Sequence, residues 1–474
     1  MDILFVSQKI FLGDNCEDFI DGAILVTTEG KIRQILRNRE QVNSFIYNNE
    51  PESVIDFKDK ILMPGLVDIN VNIFEPGRND WEGFVTATKA AAAGGITTLF
   101  DMPIYNVPPT VSAETLKAKA LIARGKCFVD VGLWGGITSS NVKNSTEIEN
   151  LARSGVIGLY CSLCPSQTNE FSEVKKSDIQ SISNIVENSG NILAFHPEIM
   201  PEVPIKPNQD EPKKYVTFLD TRPAFMEKAA VEIITALSVE NKSIPIHILN
   251  LSCAETLPII KECKSKGGKL TVETCPHYLI FDSESINDTQ TEFKCFPPIR
   301  DKENKDKLWK AIASHEIDII SSNHSPTLPG LKCLTYGKTR GNFLKAWSGI
   351  ASLQLGLSIF WTECRKYGLD IKDVYRLFCK NPTKLCGIGH VKGVIKEGYD
   401  ADFCVWDPNE EFTVSKEDLF MQNKSTPYLN MRLKGVVYAT VVRGLHVYER
   451  YSGFGQPLGR IILRRPTKQV VRFS

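Results

Sequence analysis

Asn70 and Asn72 stand two apart in a run where Val67, Ile69, Val71 and Ile73 alternate with Asp68, Asn70 and Asn72. Period 2 predicts a β-strand whose polar face carries three short hydrogen-bonding side chains in a row. Buried amides need partners, so such a strand end faces a cavity or another polar side chain. The ends of later strand-like segments add Asp101, Tyr160, His196, Asn250, His277 and the pair Asn323-His324. The chemistry open to this set is limited. An imidazole can move a proton, and Tyr160 is the obvious partner for His196 as a metal-free acid–base pair. A phenol with its ordinary value near 10 stays neutral. The amides donate and accept hydrogen bonds without titrating, and amide oxygen is a poor zinc donor beside imidazole, thiolate or carboxylate. It could hold Ca²⁺ or Mg²⁺ weakly, but no cluster of carboxylates accompanies it.

The elements that must position these residues follow a regular rhythm. Strand-like runs fall at 61–72, 96–102, 128–133, 156–163, 192–196, 245–251, 270–277 and 317–323. Helical patterns lie between or after them at 81–93, 113–123, 225–239, 256–266, 305–315 and 343–360, with two more near 371–379 and 381–385. Strand and helix in alternation predict parallel pairing through crossover helices, and eight strands are the number of a (β/α)₈ TIM barrel. Residues 1–60 read as short strands and turns, and residues 391–474 return to them, with strands expected at 428–433, 435–442 and 446–448. The expected organisation is an α/β chain with a barrel over 61–390 and a small β-sandwich built from 1–60 and 391–474.

Composition narrows the function classes. Lys+Arg and Asp+Glu are both 56 in 474 residues, so a formal net charge of zero supports neither nucleic acid nor an anionic membrane as partner. The basic stretch Arg460–Lys468 reads as a solvated tail. No run approaches the roughly 18 apolar residues of a membrane span, and the first ten residues lack the order of a signal peptide. The 13 cysteines lack small-scaffold spacing and read as reduced thiols of a cytoplasmic protein. Cys161-Ser-Leu-Cys164 has the C-x-x-C form, but no second pair accompanies it.

Several longer motifs carry a resemblance. They include Glu75-Pro-Gly-Arg78 with Trp81-Glu-Gly-Phe84, Ala90 to Thr98 leading into Asp101-Met-Pro103, and Thr271-Val-Glu-Thr-Cys-Pro-His-Tyr278. Pro297-Pro-Ile-Arg-Asp301, His324-Ser-Pro326, Gly341 to Trp347 and Gly398 to Phe403 follow. Over almost the whole chain this resembles the allantoinases, of the cyclic-amide branch of the amidohydrolase superfamily. That resemblance implies ring opening of a cyclic amide, allantoin to allantoate, by two zinc ions. It also implies a homo-oligomer, tetramer or dimer. The ligands implied are a His-x-His pair, a carboxylated lysine, two single histidines and an aspartate. Carried over, these fall on Asn70 and Asn72, Tyr160, His196 and Asn250, and Asn323. Only His196 keeps the family's residue, so no metal cofactor is expected and hydrolysis by the family route is expected to be lost. Cys295 lies where the family meets substrate through its backbone, so partial ureide recognition is expected there.

Three readings of the mouth stay open at this stage: a plug of mutually bonded amides, a pocket for a small polar ligand, or new chemistry with a different metal or with none. The leading expectation is a hydrolytically inactive relative that binds a small ureide-like ligand or a protein partner. An active allantoinase and metal-free catalysis on a ureide-like ring are the alternatives. His277 and His324 are expected to support strand ends, Arg78 and Trp81 to fix the first loop, and His315, His390 and His446 to be surface or packing residues.

Overall fold

A computed structural model describes residues 2–14, 18–49, 51 and 53–464. Eight parallel strand positions close the barrel: Leu66–Val71, Ile96–Asp101, Asp130–Leu133 continuing in Gly135–Ile137, Gly158–Ser162, Ile192–His196, Ile246–Ile248, Leu270–Thr274 and Ile319–Ile320. The seam between last and first strands is made by Asn72 N donating to His324 O at 2.9 Å and by a parallel bridge from Val71 to His324. Trp134 fills the barrel interior with Val67, Ile69, Phe100 and Tyr160, and donates its indole N–H to Ile69 O at 2.9 Å.

Both chain ends build one nine-stranded sheet. Ile3–Ile10, Ile20–Val26 and Ile32–Leu36 pair in sequence, as do Phe403–Thr413, Arg432–Val442 and Leu445–Glu449. Ile61–Pro64 joins the two groups, parallel to Lys9-Ile10 and antiparallel to Phe403–Trp406. The single strand expected over 61–72 is therefore two. The chain breaks at Gly65, where an added Cβ would lie 2.2 Å from Thr97 Oγ1, so only glycine allows this close a crossing.

The expected alternation also fails within the first barrel strand. Its pairing with Ile96–Asp101 shifts register between Asp68 and Val71. Val67 and Ile69 pack inside the barrel, whereas Val71 and Ile73 join the core beneath the helices. An irregularity of this kind re-aims side chains, and here it turns Asn70 and Asn72 toward the mouth.

Other expectations need correction. Helix 343–360 starts at Gly356, after a 3₁₀ turn over Leu353–Leu355, and 343–352 is loop. Gly349 takes φ 125° with its would-be Cβ 2.3 Å from Ser325 O, a geometry a helix cannot supply. Strand 270–277 ends at Thr274, and His277 opens the helix Pro276–Ile280, where Pro suits the first turn. Tyr428 is not on a strand; it stacks on Phe281 with centroids 5.1 Å apart, and pairing starts at Arg432. The described part of the basic tail is not solvated loop either: Ile461–Ile462 pairs with Val131 and Gly132, and Arg460 N donates to Asp130 Oδ1 at 2.8 Å. Residues beyond 464 lie outside the described residues. Among the described residues, no helix is long and apolar enough to cross a membrane.

Candidate functional site at the barrel mouth

Six of the seven candidates meet at one cavity of about 70 Å³ over the C-terminal strand ends: Asn70, Asn72, Tyr160, His196, Asn250 and Asn323. This is the face on which barrels of this kind carry their sites. The volume suits a compact polar molecule and is well below the several hundred Å³ of a drug-sized pocket. Cys295 does not reach the cavity. It is buried, with its thiol against Pro297 O at 3.3 Å, and its neighbour Phe296 lines the wall instead.

Three of the four amides have an assigned task. Asn70 Nδ2 donates to Glu273 Oε1 at 2.7 Å, and Asn250 N donates to the same oxygen at 3.1 Å. Glu273 is fully buried, and His247 Nε2 stands 3.3 Å from its other oxygen. Asn72 Nδ2 donates to His324 O at 3.0 Å, which leaves its buried Oδ1 without a partner among the described residues. Asn250 Nδ2 donates to Phe296 O at 2.9 Å. Asn250 and Asn323 both hold left-handed backbone, φ 37° and 44°, which asparagine tolerates better than most residues. That conformation ends the sixth and eighth strands and brings both side chains to the rim. Asn70, Asn72 and Asn250 are thus tied to backbone carbonyls and to Glu273, not to one another as a plug would have it.

Tyr160 is buried against Phe171 with centroids 5.4 Å apart, and burial raises its phenol well above the ordinary value, so it stays protonated. His196 Nε2 lies 2.8 Å from Glu198 Oε2. Burial alone would lower this imidazole; Cys164 and the Glu198 carboxylate outweigh it and push the group up to about 10. At neutral pH His196 is therefore a cation donating to Glu198. Arg222 Nη1 donates to the same Glu198 oxygen at 2.6 Å. The expected pairing of His196 with Tyr160 is replaced by this carboxylate.

Sequence reasoning missed Glu198, Arg222 and Cys164. Glu198 was available as the residue two beyond a strand-end histidine. Arg222 carries no local signal, because it arrives from the loop before the helix Ala224–Glu240. Cys161 and Cys164 do not act as a pair: Cys161 points into the helix-facing core and Cys164 lines the cavity.

Arg78, Trp81 and His324 behave as expected, whereas His277 lies past its strand end in the helix Pro276–Ile280 and its ring nitrogens bond to nothing among the described residues. Arg78 donates to Tyr105 O at 2.7 Å, pairs with Glu170 at 2.9 Å and stacks on Trp81, which fixes the first loop. His324 Nδ1 accepts from Ser352 N and Leu353 N at 3.1 and 3.2 Å, so Nε2 carries the proton and donates to Glu82 at 3.0 Å. His277 is fully buried, and burial pushes it down to about 3, so it is neutral packing.

The donor set does not fit two zinc ions. The cavity wall offers neutral amides, a protonated phenol, the Cys164 thiol and an imidazole already bonded to a carboxylate, which is at most the donor set of a single ion. Two dications there would meet no carbamate or aspartate charge, and the nearest buried carboxylates are taken by Asn70, His196 and Arg222.

Comparison with known proteins matches residues 59–182 to a family described as dihydro-orotase-like and residues 337–447 to the amidohydrolase family. The allantoinase of Arabidopsis thaliana is 44% identical over 406 residues, covering 83% of this chain and 79% of that protein. The allantoinase of Streptomyces avermitilis is 38% identical, covering 94% and 95%, and that of Saccharomyces cerevisiae is 37% identical, covering 85% and 86%. Among solved structures, the L-hydantoinase (dihydropyrimidinase) of Arthrobacter aurescens superposes with TM-score 0.85 at 24% identity over 98% of this chain and all of that one. This likeness supports the barrel-plus-sandwich fold.

Proposed function

The chain belongs to the allantoinase family of the amidohydrolase superfamily, and from that premise we propose that its barrel mouth binds a small polar, ureide-like molecule without a dinuclear metal centre. On this reading, hydrolysis by metal-activated water is not its chemistry. The observation that carries it is the lining: Asn70, Asn72, Tyr160, Asn250 and Asn323 stand where the resemblance implies metal ligands, and each is uncharged. A ureide ring presents alternating N–H donors and carbonyl acceptors. The unpartnered Oδ1 of Asn72 would accept from such an N–H, and the cationic His196 would donate to a carbonyl.

Without a metal, water keeps its bulk pKa of about 15.7 instead of one near 7, and Asn323 cannot take its proton. A thermal-shift titration in chelator tests the binding. Allantoin or hydantoin should raise the melting point in a dose-dependent way, whereas a flat response to both would refute ligand binding. The quintuple variant carrying Asn70→His, Asn72→His, Tyr160→Lys, Asn250→His and Asn323→Asp should gain zinc and chelator-sensitive allantoin hydrolysis that the parent lacks.

A second reading, active allantoinase, is favoured by the relatives themselves, which bear that name at 37–44% identity over most of the chain. Chelator-sensitive turnover of allantoin by the unaltered chain would establish it over the first.

A further inference from the structure

The fourth and fifth barrel strands pair with Ser162 opposite His196. Two residues beyond that matched pair, the two strands deliver Cys164 and Glu198 side by side. The Cys164 sulfur, a His196 ring nitrogen and a Glu198 carboxylate oxygen all lie within 4.8 Å of one another. Arg222 backs the group: it donates to Glu198 Oε2 at 2.6 Å, and its guanidinium carbon stands 3.5 Å from the centre of the Phe296 ring. Cys164 and His196 form part of the cavity wall, with Glu198 fully buried behind them.

We propose that Cys164 is the nucleophile of this mouth, paired with His196 and held in place by the Glu198–Arg222 ion pair, and that it takes small cyclic amides of the ureide class as S-acyl adducts. The proposal rests on the reading of the mouth as a ureide pocket and adds the chemistry done there. A thiolate is favoured by cationic neighbours, and a thiol beside an imidazole that a carboxylate orients is the nucleophile–base–orienter arrangement. The other cysteines nearby lack this setting, since Cys161 faces the apolar core and Cys295 is bonded to Pro297 O. The same donors could hold one soft metal ion. Against that, Glu198 Oε2 already accepts from both His196 and Arg222, so its charge is compensated, and a dication would stand close to a guanidinium.

The step balances without any further reactant than water. With His196 already the imidazolium, the Cys164 thiolate bonds through Sγ to a ring carbonyl carbon. The electron pair of the C=O bond moves to oxygen and returns as the ring C–N bond breaks. His196 gives the proton to the departing nitrogen, which stays tethered to the acyl group. The protein thus gains the full mass of the ligand and loses nothing. Water then cleaves the S–C bond, its hydroxyl going to the acyl carbon and its proton to His196, so that the thiolate–imidazolium pair is restored and a ring-opened acid leaves.

The test incubates the full chain with hydantoin in chelator, quenches in acid and reads intact mass, peptide map and free ring-opened acid, with iodoacetamide labelling run in parallel. Expected is an adduct of the full hydantoin mass on Cys164, or ring-opened acid, lost in Cys164→Ser and reduced at least tenfold in His196→Gln. Iodoacetamide should label Cys164 at least tenfold faster than any other thiol, and hydantoin should slow that labelling. Labelling of Cys164 no faster than of the remaining cysteines, or unchanged in His196→Gln, overturns the proposal. So does zinc that co-purifies with the parent chain and is lost from Cys164→Ser. If hydantoin raises the melting point while neither adduct nor acid forms, the thiol chemistry falls and the pocket reading stands. If labelling is fast but hydantoin neither shifts melting nor reacts, the pocket reading falls and takes this substrate class with it.

Discussion

Asn70→Asp exchanges an amide NH₂ for an oxygen at almost constant volume, in a place where the structure assigns that NH₂ one task. It donates to Glu273 Oε1 at 2.7 Å, and both residues are buried. Two carboxylates at such a distance cannot both ionise, so the folded variant must take up a proton. Holding a carboxyl protonated costs about 1.36 kcal/mol for each pH unit above its unfolded value of about 3.9. The destabilisation therefore approaches about 4 kcal/mol at pH 7 and shrinks to about 1.5 kcal/mol at pH 5. The sign follows from proton binding. With its pKa raised in the folded state, the variant binds more protons folded than unfolded, so its stability climbs as pH falls toward 3.9. Urea unfolding of parent and variant at both pH values measures this through the shift in midpoint. A loss below about 1 kcal/mol at pH 7, or one equal at the two pH values, would refute the claim that Glu273 Oε1 needs the amide N–H of Asn70.

Two further substitutions probe the scaffold. Asp68 is fully enclosed, and burial pushes its carboxyl up to about 7 while Ser322 N and Asn70 N donate to it at 3.0 and 3.1 Å. Its folded value exceeds its unfolded one, so it lowers stability progressively between about pH 4 and pH 7. Asp68→Asn should flatten that part of the stability–pH curve, and a curve of unchanged slope would contradict the assignment. Lys392 joins barrel to sandwich, with its ammonium 2.8 Å from Asp130, 3.3 Å from Asp400 and in contact with Asp402. Lys392→Met leaves buried Asp402 without its cation, although Arg443 still pairs with Asp130. The expected cost is about 3–5 kcal/mol, and Lys392→Met with Asp402→Leu should recover part of it; urea midpoints check both.

How far the site could be read from sequence depended on whether its signal was local. The fifth strand, Ile192–His196, was expected at these bounds, because an apolar run ending on a polar residue is a local pattern. The helix Ala113–Ala123 agrees for the same reason. The helices Ser145–Arg153 and Lys176–Ser189 were not expected, although Asn144 and Asp178 mark their starts with capping bonds. The register shift after Asp68 left no trace in an alternating sequence, since both faces of that strand are buried. The six cavity residues were legible as strand ends of a barrel. The Glu198–Arg222 pair was not, because its partners are 24 positions apart and meet only through the packing of a crossover helix.

The central claim is that this barrel mouth works without a dinuclear metal centre. Metal content by inductively coupled plasma mass spectrometry, on full-length protein purified without chelator and assayed in parallel for allantoin hydrolysis, tests it most directly. Far less than one zinc per chain is expected, with no turnover that a chelator abolishes. About two zinc ions per chain, with allantoin hydrolysis that is lost in chelator and restored by zinc, would contradict it.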